Sequence, residues 1–389
     1  MELQQLIQEV KPEGSEDEAV ISQWVHAYNG DFKYFGQSKQ VTPAKIKKAL
    51  KSAGILKADE KISSGAKKKY GIKPAKAKKF KFIDLFAGIG GMRLGFQGAG
   101  GVCVFSSEYD KNAQKTYFIN HGELPFGDIT KINPVDIPEH DVLLAGFPCQ
   151  PFSHAGVSAR NSIGLKHGFE CNTQGTLFFD IMRIASLKRP KVLFLENVRN
   201  IERHDNGNTF RVIKNSIEEL GYSFNYAIIN SATEVPQRRL RCYMVCIRND
   251  LKKTYSFPDF SGPLKPLSSI LESEVDDVYT ISDKLWIGHI NRSKRNVDRG
   301  AGFTAYTADL TKPSNTIVAR YGKDGKECLI PQEGKNPRML TPRECAKLQG
   351  FPDDFILPIA RTPAYKQFGN SVSVPVIKRI ADSLVGRVL

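Results

Sequence analysis

Gly146-Phe147-Pro148-Cys149-Gln150-Pro151-Phe152 is the stretch that most limits what this chain can become. It follows Asp141-Val142-Leu143-Leu144-Ala145, an apolar run of strand length. A cysteine set between two prolines cannot lie inside a helix or a central strand, because proline lacks a backbone donor and fixes its own φ. Cys149 is therefore expected on a stiff turn at a strand's carboxyl end, the edge where open α/β sheets place their ligands. A thiol there is either a nucleophile or a small apolar turn residue, and the fragment alone leaves both open.

The flanking chain supplies the sheet. Lys81-Phe82-Ile83-Asp84-Leu85-Phe86 reads as a strand entering Ala87-Gly88-Ile89-Gly90-Gly91, with a helix from Met92 to about Gln97. Glycines at such a turn let the backbone approach a cofactor and leave helix-start N–H groups exposed. A second strand, Gly101 to Ser106, leads to Glu108, where an acid can hold a ribose diol. Gly127-Asp128-Ile129 supplies another strand-end acid. Lys191-Val192-Leu193-Phe194-Leu195 reads as a buried strand ending in Glu196-Asn197-Val198, a carboxylate on the same edge as Cys149. A helix over 206–220 and strands near 222–229 and 242–247 complete an α/β sheet. Gln237-Arg238-Arg239-Leu240-Arg241 is a cationic cluster between the last two. The polar stretch Ser153 to Gly175 is long enough to be a lid or binding loop.

Charge is informative because it is uneven. The formal net charge is +15, which points to a polyanionic partner. Most of it lies between Lys45 and Lys79, where thirteen lysines meet only Asp59 and Glu60. Residues 1–60 read as a helical module whose clearest helix has Thr42 as cap and Pro43 at its first position. It is either a DNA-contacting unit or a spacer. Residues 61–79 read as a solvated lysine-rich linker that can still grip phosphates. Seven cysteines, an odd number, suit a reducing cytoplasm, and no apolar run nears the roughly 18 residues of a membrane span. Residues 251–337 change texture, with few helical periods and many turn residues, and read as a smaller domain, mostly β or irregular. Residues 338–389 return to α/β character.

In this order, these elements resemble the C5-cytosine DNA methyltransferases, most closely the bacterial Dcm-type members. The resemblance covers roughly residues 80–250 and 338–387. It rests on the turn Phe86 to Gly91, Glu108, Asp128-Ile129, the Pro-Cys-Gln turn, Glu196-Asn197-Val198, Gln237 to Arg241, Arg338 to Glu344 and Gly369-Asn370-Ser371-Val372. It implies a Rossmann-like sheet at 80–250 binding S-adenosylmethionine, a target-recognition domain at 251–337, and an N-terminal helical extension. It implies contact with the methyl donor by Phe86, Gly88, Gly90, Gly91, Glu108, Tyr109, Asp128, Ile129, Pro148, Leu177, Asn370 and Val372. It also implies catalysis by Cys149, Glu196, Arg239 and Arg241, with the two arginines holding the pyrimidine carbonyl and orienting Glu196.

The chemistry suits these residue types. Cytosine C5 is a weak nucleophile until a thiolate adds at C6, which Cys149 would supply. Charge then builds at N3, where Glu196 would share a proton. No metal is required. The target lies inside a duplex, so the base must leave the stack. Gln150, Ser153, Gln237, Arg320, Tyr321 and Lys323 are the candidates for DNA contact. A monomer acting on bacterial nucleoid DNA in the cytoplasm is expected, with a cognate restriction endonuclease as functional partner. RNA as substrate, or a regulator that binds promoters through residues 1–79, stays open beside this reading. Because every catalytic motif lies beyond Phe80, residues 1–78 are expected to be removable.

Overall fold

The apolar runs become strands because both of their faces are covered, which favours near-continuous hydrophobic sequence over alternation. A computed structural model of the chain describes residues 2–72, 79–148, 177–300, 307–357 and 360–389. Its main sheet contains β1 (Phe80–Leu85), β2 (Gly101–Ser107), β3 (Val142–Gly146), β4 (Val192–Val198), β5 (Asn225–Asn230) and β7 (Leu240–Ile247). Their order is β2-β1-β3-β4-β7-β5. β1 runs parallel to β2 and β3, and β3 parallel to β4, whereas β7 is antiparallel to β4. The sheet is thus mixed. Helices α5 (Gly91–Gly98) and α6 (Lys111–His121) follow β1 and β2, as crossover connections between parallel strands require.

Two units emerge from the chain: Met1–Ile228 with Arg241–Phe257 and Ile380–Leu389, and Ile229–Leu240 with Pro258–Arg379. The first holds the sheet. Its N-terminal helices are α1 (Glu2–Val10), α2 (Asp17–Gly30), α3 (Pro43–Ser52) and α4 (Ser64–Lys69). Thr42 caps α3 by accepting from the Lys45 N–H, with Pro43 at the first helical position, where its missing donor costs nothing.

These helices are not a removable appendage. Leu6, Ile7, Val10, Val20, Trp24 and Phe35 join Ile83, Val104, Phe105 and Phe126 in one continuous core. The Phe35 ring lies 4.3 Å from Phe126 and 6.0 Å from Phe105. Trp24 is fully buried and donates to the Phe35 carbonyl at 3.0 Å. Each such side chain contributes about 2–3 kcal/mol through burial, so removing residues 1–78 would strip one side of the sheet's packing.

The lysine-rich stretch is also only partly solvated chain. Ser63 caps α4, Ala66 and Tyr70 are buried, and Tyr70 packs edge-on against Phe118. The Tyr70 carbonyl lies so close to Gly122 that a Cβ there would sit 2.0 Å from it. Residues 73–78 of that stretch lie outside the described residues.

The second unit has its own core, in which Phe351, Phe355 and Phe368 meet edge to face and Tyr321 packs on Tyr365. Arg338 grips Glu344 with two bonds of 2.7 and 2.8 Å, both side chains buried. Glu344 also accepts the Thr341 N–H in a capping box that starts the helix Pro342–Leu348. Its short strands include β6 (Gln237–Arg238), paired with Ser314–Asn315. One element departs from expectation: Asp283–Asp298 is a sixteen-residue helix capped by Ser282. Only His289 in it is buried, so no apolar period announces it.

Candidate active site

The turn after β1 bends sharply enough to place Phe86, Gly88 and Gly90 at φ of 55°, 56° and 86°. That region favours glycine. A Cβ on Gly88 would meet nothing within 4 Å, so the turn has an open face, while one on Gly90 would lie 2.2 Å from His121 Nε2. Gly91 begins α5 with Gly90 as its cap. Glu108, just past β2, accepts from the Gly88 N–H at 2.7 Å and from the Asp110 N–H at 2.7 Å. Burial pushes its carboxyl above the usual range, against the pull of those two N–H groups. Its own N–H donates to the Phe126 carbonyl at 2.8 Å, which brings the Gly127–Ile129 turn beside it. There Asp128 is half-buried and accepts from the Thr130 N–H, Ile129 is buried, and Tyr109 is largely exposed. An open glycine face next to an acceptor carboxylate and a second acid fits a nucleoside-bearing cofactor.

At the neighbouring strand ends, parallel register sets Gly146 of β3 opposite Glu196 of β4. A Cβ on Gly146 would sit 3.5 Å from Glu196 Oε2 and 3.2 Å from the Met92 methyl carbon. Arg241 of β7 pairs with Val198 in antiparallel register, two positions from Glu196 and on the same face. Its Nε lies 3.2 Å from Glu196 Oε1, with both side chains mostly buried.

Asn197 points the other way and donates to the Phe147 carbonyl at 2.9 Å. The Phe147 ring packs 5.6 Å from Phe178 of α7 (Leu177–Lys188), whose first residue, Leu177, is half-buried. The segment that ends in Pro148 is therefore held by its backbone and by its preceding ring. Cys149, Gln150 and Ser153 lie outside the described residues, as does the rest of the stretch through Gly175. In the sequence Asn197 is marked only by its place beside the strand-end acid in Glu196-Asn197-Val198.

The arginine cluster divides. Arg239 is buried in the second unit and donates to the carbonyls of Ile317, Gly369 and Ser371 at 3.1, 3.2 and 2.5 Å. Two of these three bonds tie its guanidinium to the turn that carries Asn370. That turn is tight, since a Cβ on Gly369 would lie 2.3 Å from the Val318 carbonyl carbon. Asn370 is exposed and Val372 buried within this unit.

Burial corrects two candidates for DNA contact. Gln237 is fully buried, donating to the Leu348 carbonyl and accepting from the Ile317 N–H. Tyr321 is fully buried, donating to the Cys328 carbonyl at 2.6 Å and accepting from the Leu340 N–H at 2.8 Å. Arg320 and Lys323 are exposed, and Arg320 pairs with Asp324 at 3.3 Å.

Comparison with known proteins fits this geometry. Residues 80–386 match the family model of C-5 cytosine-specific DNA methylase. The chain is similar to type II methyltransferase M.SsoII of Shigella sonnei, 51% identical over 313 residues, 79% of this chain and 80% of the relative. It is 42% identical over 364 residues to the DNA-cytosine methyltransferase of Escherichia coli K12, covering 78% and 77%. The fold is similar to a crystal structure of Spodoptera frugiperda DNMT2, with a TM-score of 0.61, 22% identity, and 77% and 97% coverage.

Proposed function

The chain belongs to the C-5 cytosine-specific DNA methylase family, and on that premise we propose that it methylates C5 of one cytosine in a short duplex DNA site through a covalent bond from Cys149 to C6. The observation that carries this reading is Glu196, buried at a strand end, held by Arg241 at 3.2 Å, and opposite the residue three positions before Cys149. S-adenosylmethionine, the family's donor, supplies the methyl group. Phe86, Gly88, Gly90 and Gly91 would bind it at the glycine turn, Glu108 at its ribose, and Tyr109, Asp128 and Ile129 at its adenine. Pro148, Leu177, Asn370 and Val372 would complete its contacts.

In this mechanism the Cys149 thiolate forms the Sγ–C6 bond, and the electron pair released from the C5–C6 double bond makes C5 nucleophilic. Glu196 holds a proton at N3 as charge develops there, and Arg241 fixes the carboxyl and holds the pyrimidine carbonyl oxygen. Arg239 acts at one remove, by setting the turn that carries Asn370. Once C5 carries the methyl group, loss of the C5 proton to a base reforms the C5–C6 double bond and expels the Cys149 thiolate from C6. The base is reached by flipping it from the stack.

Residues 251–337 read the site, with Arg320 and Lys323 as the exposed candidates for base or phosphate contact. The likeness to a type II methyltransferase supports protection of bacterial DNA against a cognate restriction endonuclease, and action as a monomer in the cytoplasm belongs to the same proposal.

The test offers the purified chain methyl-labelled donor with duplex DNA or with RNA. Label in DNA, recovered as 5-methylcytosine at one site, is expected. Label in RNA alone overturns the substrate assignment.

A further inference from the structure

We infer that the N-terminal extension is a working part of the cofactor site, with Ser15 as a positioning residue for the Gly127–Asp128 turn. This rests on the proposed role of Asp128 and Ile129 at S-adenosylmethionine. The turn is held from two sides within the first unit. On the sheet side, Ser107 Oγ donates to the Gly127 carbonyl at 2.9 Å, and the Glu108 N–H donates to the Phe126 carbonyl at 2.8 Å.

On the opposite side, Arg183 donates to the Ile129 carbonyl at 3.0 Å, and the holds on Gly127 and Leu124 come from the extension. Ser15 Oγ accepts from the Gly127 N–H at 3.0 Å, in a buried position. The Gly14 carbonyl oxygen fills the space where a Cβ on Gly127 would lie, 2.7 Å away. Ser22 Oγ accepts from the Leu124 N–H at 3.0 Å, and the Phe35 ring packs tilted against Phe126 at 4.3 Å. Gly14, Ser15, Ser22 and Phe35 all lie outside residues 80–386, the stretch matched by the family model. The backbone that presents Asp128 is thus fixed jointly by the family's own domain and by a segment outside the matched stretch. The peptide N–H of Gly127 adjoins the Asp128 peptide, so loss of its acceptor moves that acid directly.

Ordinary packing would make the same contacts matter for stability alone, and the experiment separates the two. Ser15→Ala and Ser22→Ala are compared with Ser38→Ala, another extension residue, whose hydroxyl donates to Asp136 at 2.8 Å, away from this turn. Calorimetric titration of S-adenosylmethionine into each full-length protein is the readout, with duplex affinity and steady-state constants beside it. Ser15→Ala is expected to raise the dissociation constant about five- to tenfold and KM for the donor in proportion. Its kcat and DNA affinity should change less than twofold. Ser22→Ala should shift binding in the same direction by less, and Ser38→Ala should lower the melting temperature without touching donor affinity. Unchanged donor affinity in both Ser15→Ala and Ser22→Ala overturns the inference, as does an equal loss in Ser38→Ala. A wild-type chain that binds no S-adenosylmethionine overturns the cofactor reading and this inference with it.

Discussion

Glu196 owes its setting to strand register rather than to its neighbours in sequence. Parallel pairing brings Gly146 to it, and antiparallel pairing brings Arg241 from 45 positions away. Glu196→Gln keeps the shape and removes the ionisable proton, so single-turnover methyl transfer should fall by about 10²-fold while donor binding holds. Lost donor binding with unchanged chemistry would place this carboxylate elsewhere in the reaction. Asn197→Ala removes the donor to the Phe147 carbonyl and loosens the approach to Cys149. An orphaned buried acceptor costs about 1–3 kcal/mol. The expected result is a kcat drop of about tenfold or more with KM for the donor little changed; a fall in melting temperature with normal kcat contradicts the positioning role. The acids, the glycine turn and Arg241 were legible because their residue types announce chemistry at strand ends. Gln237 and Tyr321 misled for one reason: a polar side chain reads as a ligand contact until the fold shows the carbonyls that occupy it.

Between elements, the first βαβ passage is tied by a buried polar network. Arg93 of α5 reaches Tyr117 of α6 at 3.0 Å and Glu123 at 3.2 Å, Ser106 of β2 donates to Glu123 at 2.6 Å, and Tyr117 faces Asp84 of β1. Burial pushes the Asp84 carboxyl up to about 8, against the pull of Arg93. Between about 4 and 8 the folded chain therefore keeps a proton that the unfolded chain has released. Stability contributed by this group is complete below that window and is lost as pH rises through it. Melting temperature should decline from pH 6 to 8.5 in the wild type and decline less in Asp84→Asn. A parallel decline in both proteins assigns the pH dependence to other groups. At this scale the sheet strands were legible from apolar runs, and α3 from Thr42 and Pro43. The helix Asp283–Asp298 was not, because one buried residue in sixteen leaves no period to detect. Helix α4 was hidden by its lysines, which mask the anchoring of Ala66 and Tyr70.

Across the molecule, sequence texture marks an N-terminal helical module, a catalytic domain interrupted at 251–337 and a return to it at 338–389, while contacts join the N-terminal helices to the sheet and group Ile229–Leu240 with Pro258–Arg379. Composition marks where charge lies; it carries no record of which helix face meets which strand. Deleting residues 2–72 bares Phe105 and Phe126, so the truncated chain should aggregate or melt without a cooperative transition. A soluble, cooperatively melting, active truncation would restore the picture of an appended module. The bond from Cys149 to C6 can be isolated directly. Once bisulfite sequencing has located the modified cytosine, the same duplex is made with 5-fluorocytosine at that position. Fluorine cannot leave C5 as a proton does, so the Sγ–C6 bond cannot be released after methyl transfer. A complex stable to denaturation is expected, with mass spectrometry placing the nucleotide on Cys149. Methyl transfer to normal DNA with no trapped complex, or a complex on any other residue, would contradict a Cys149–C6 bond.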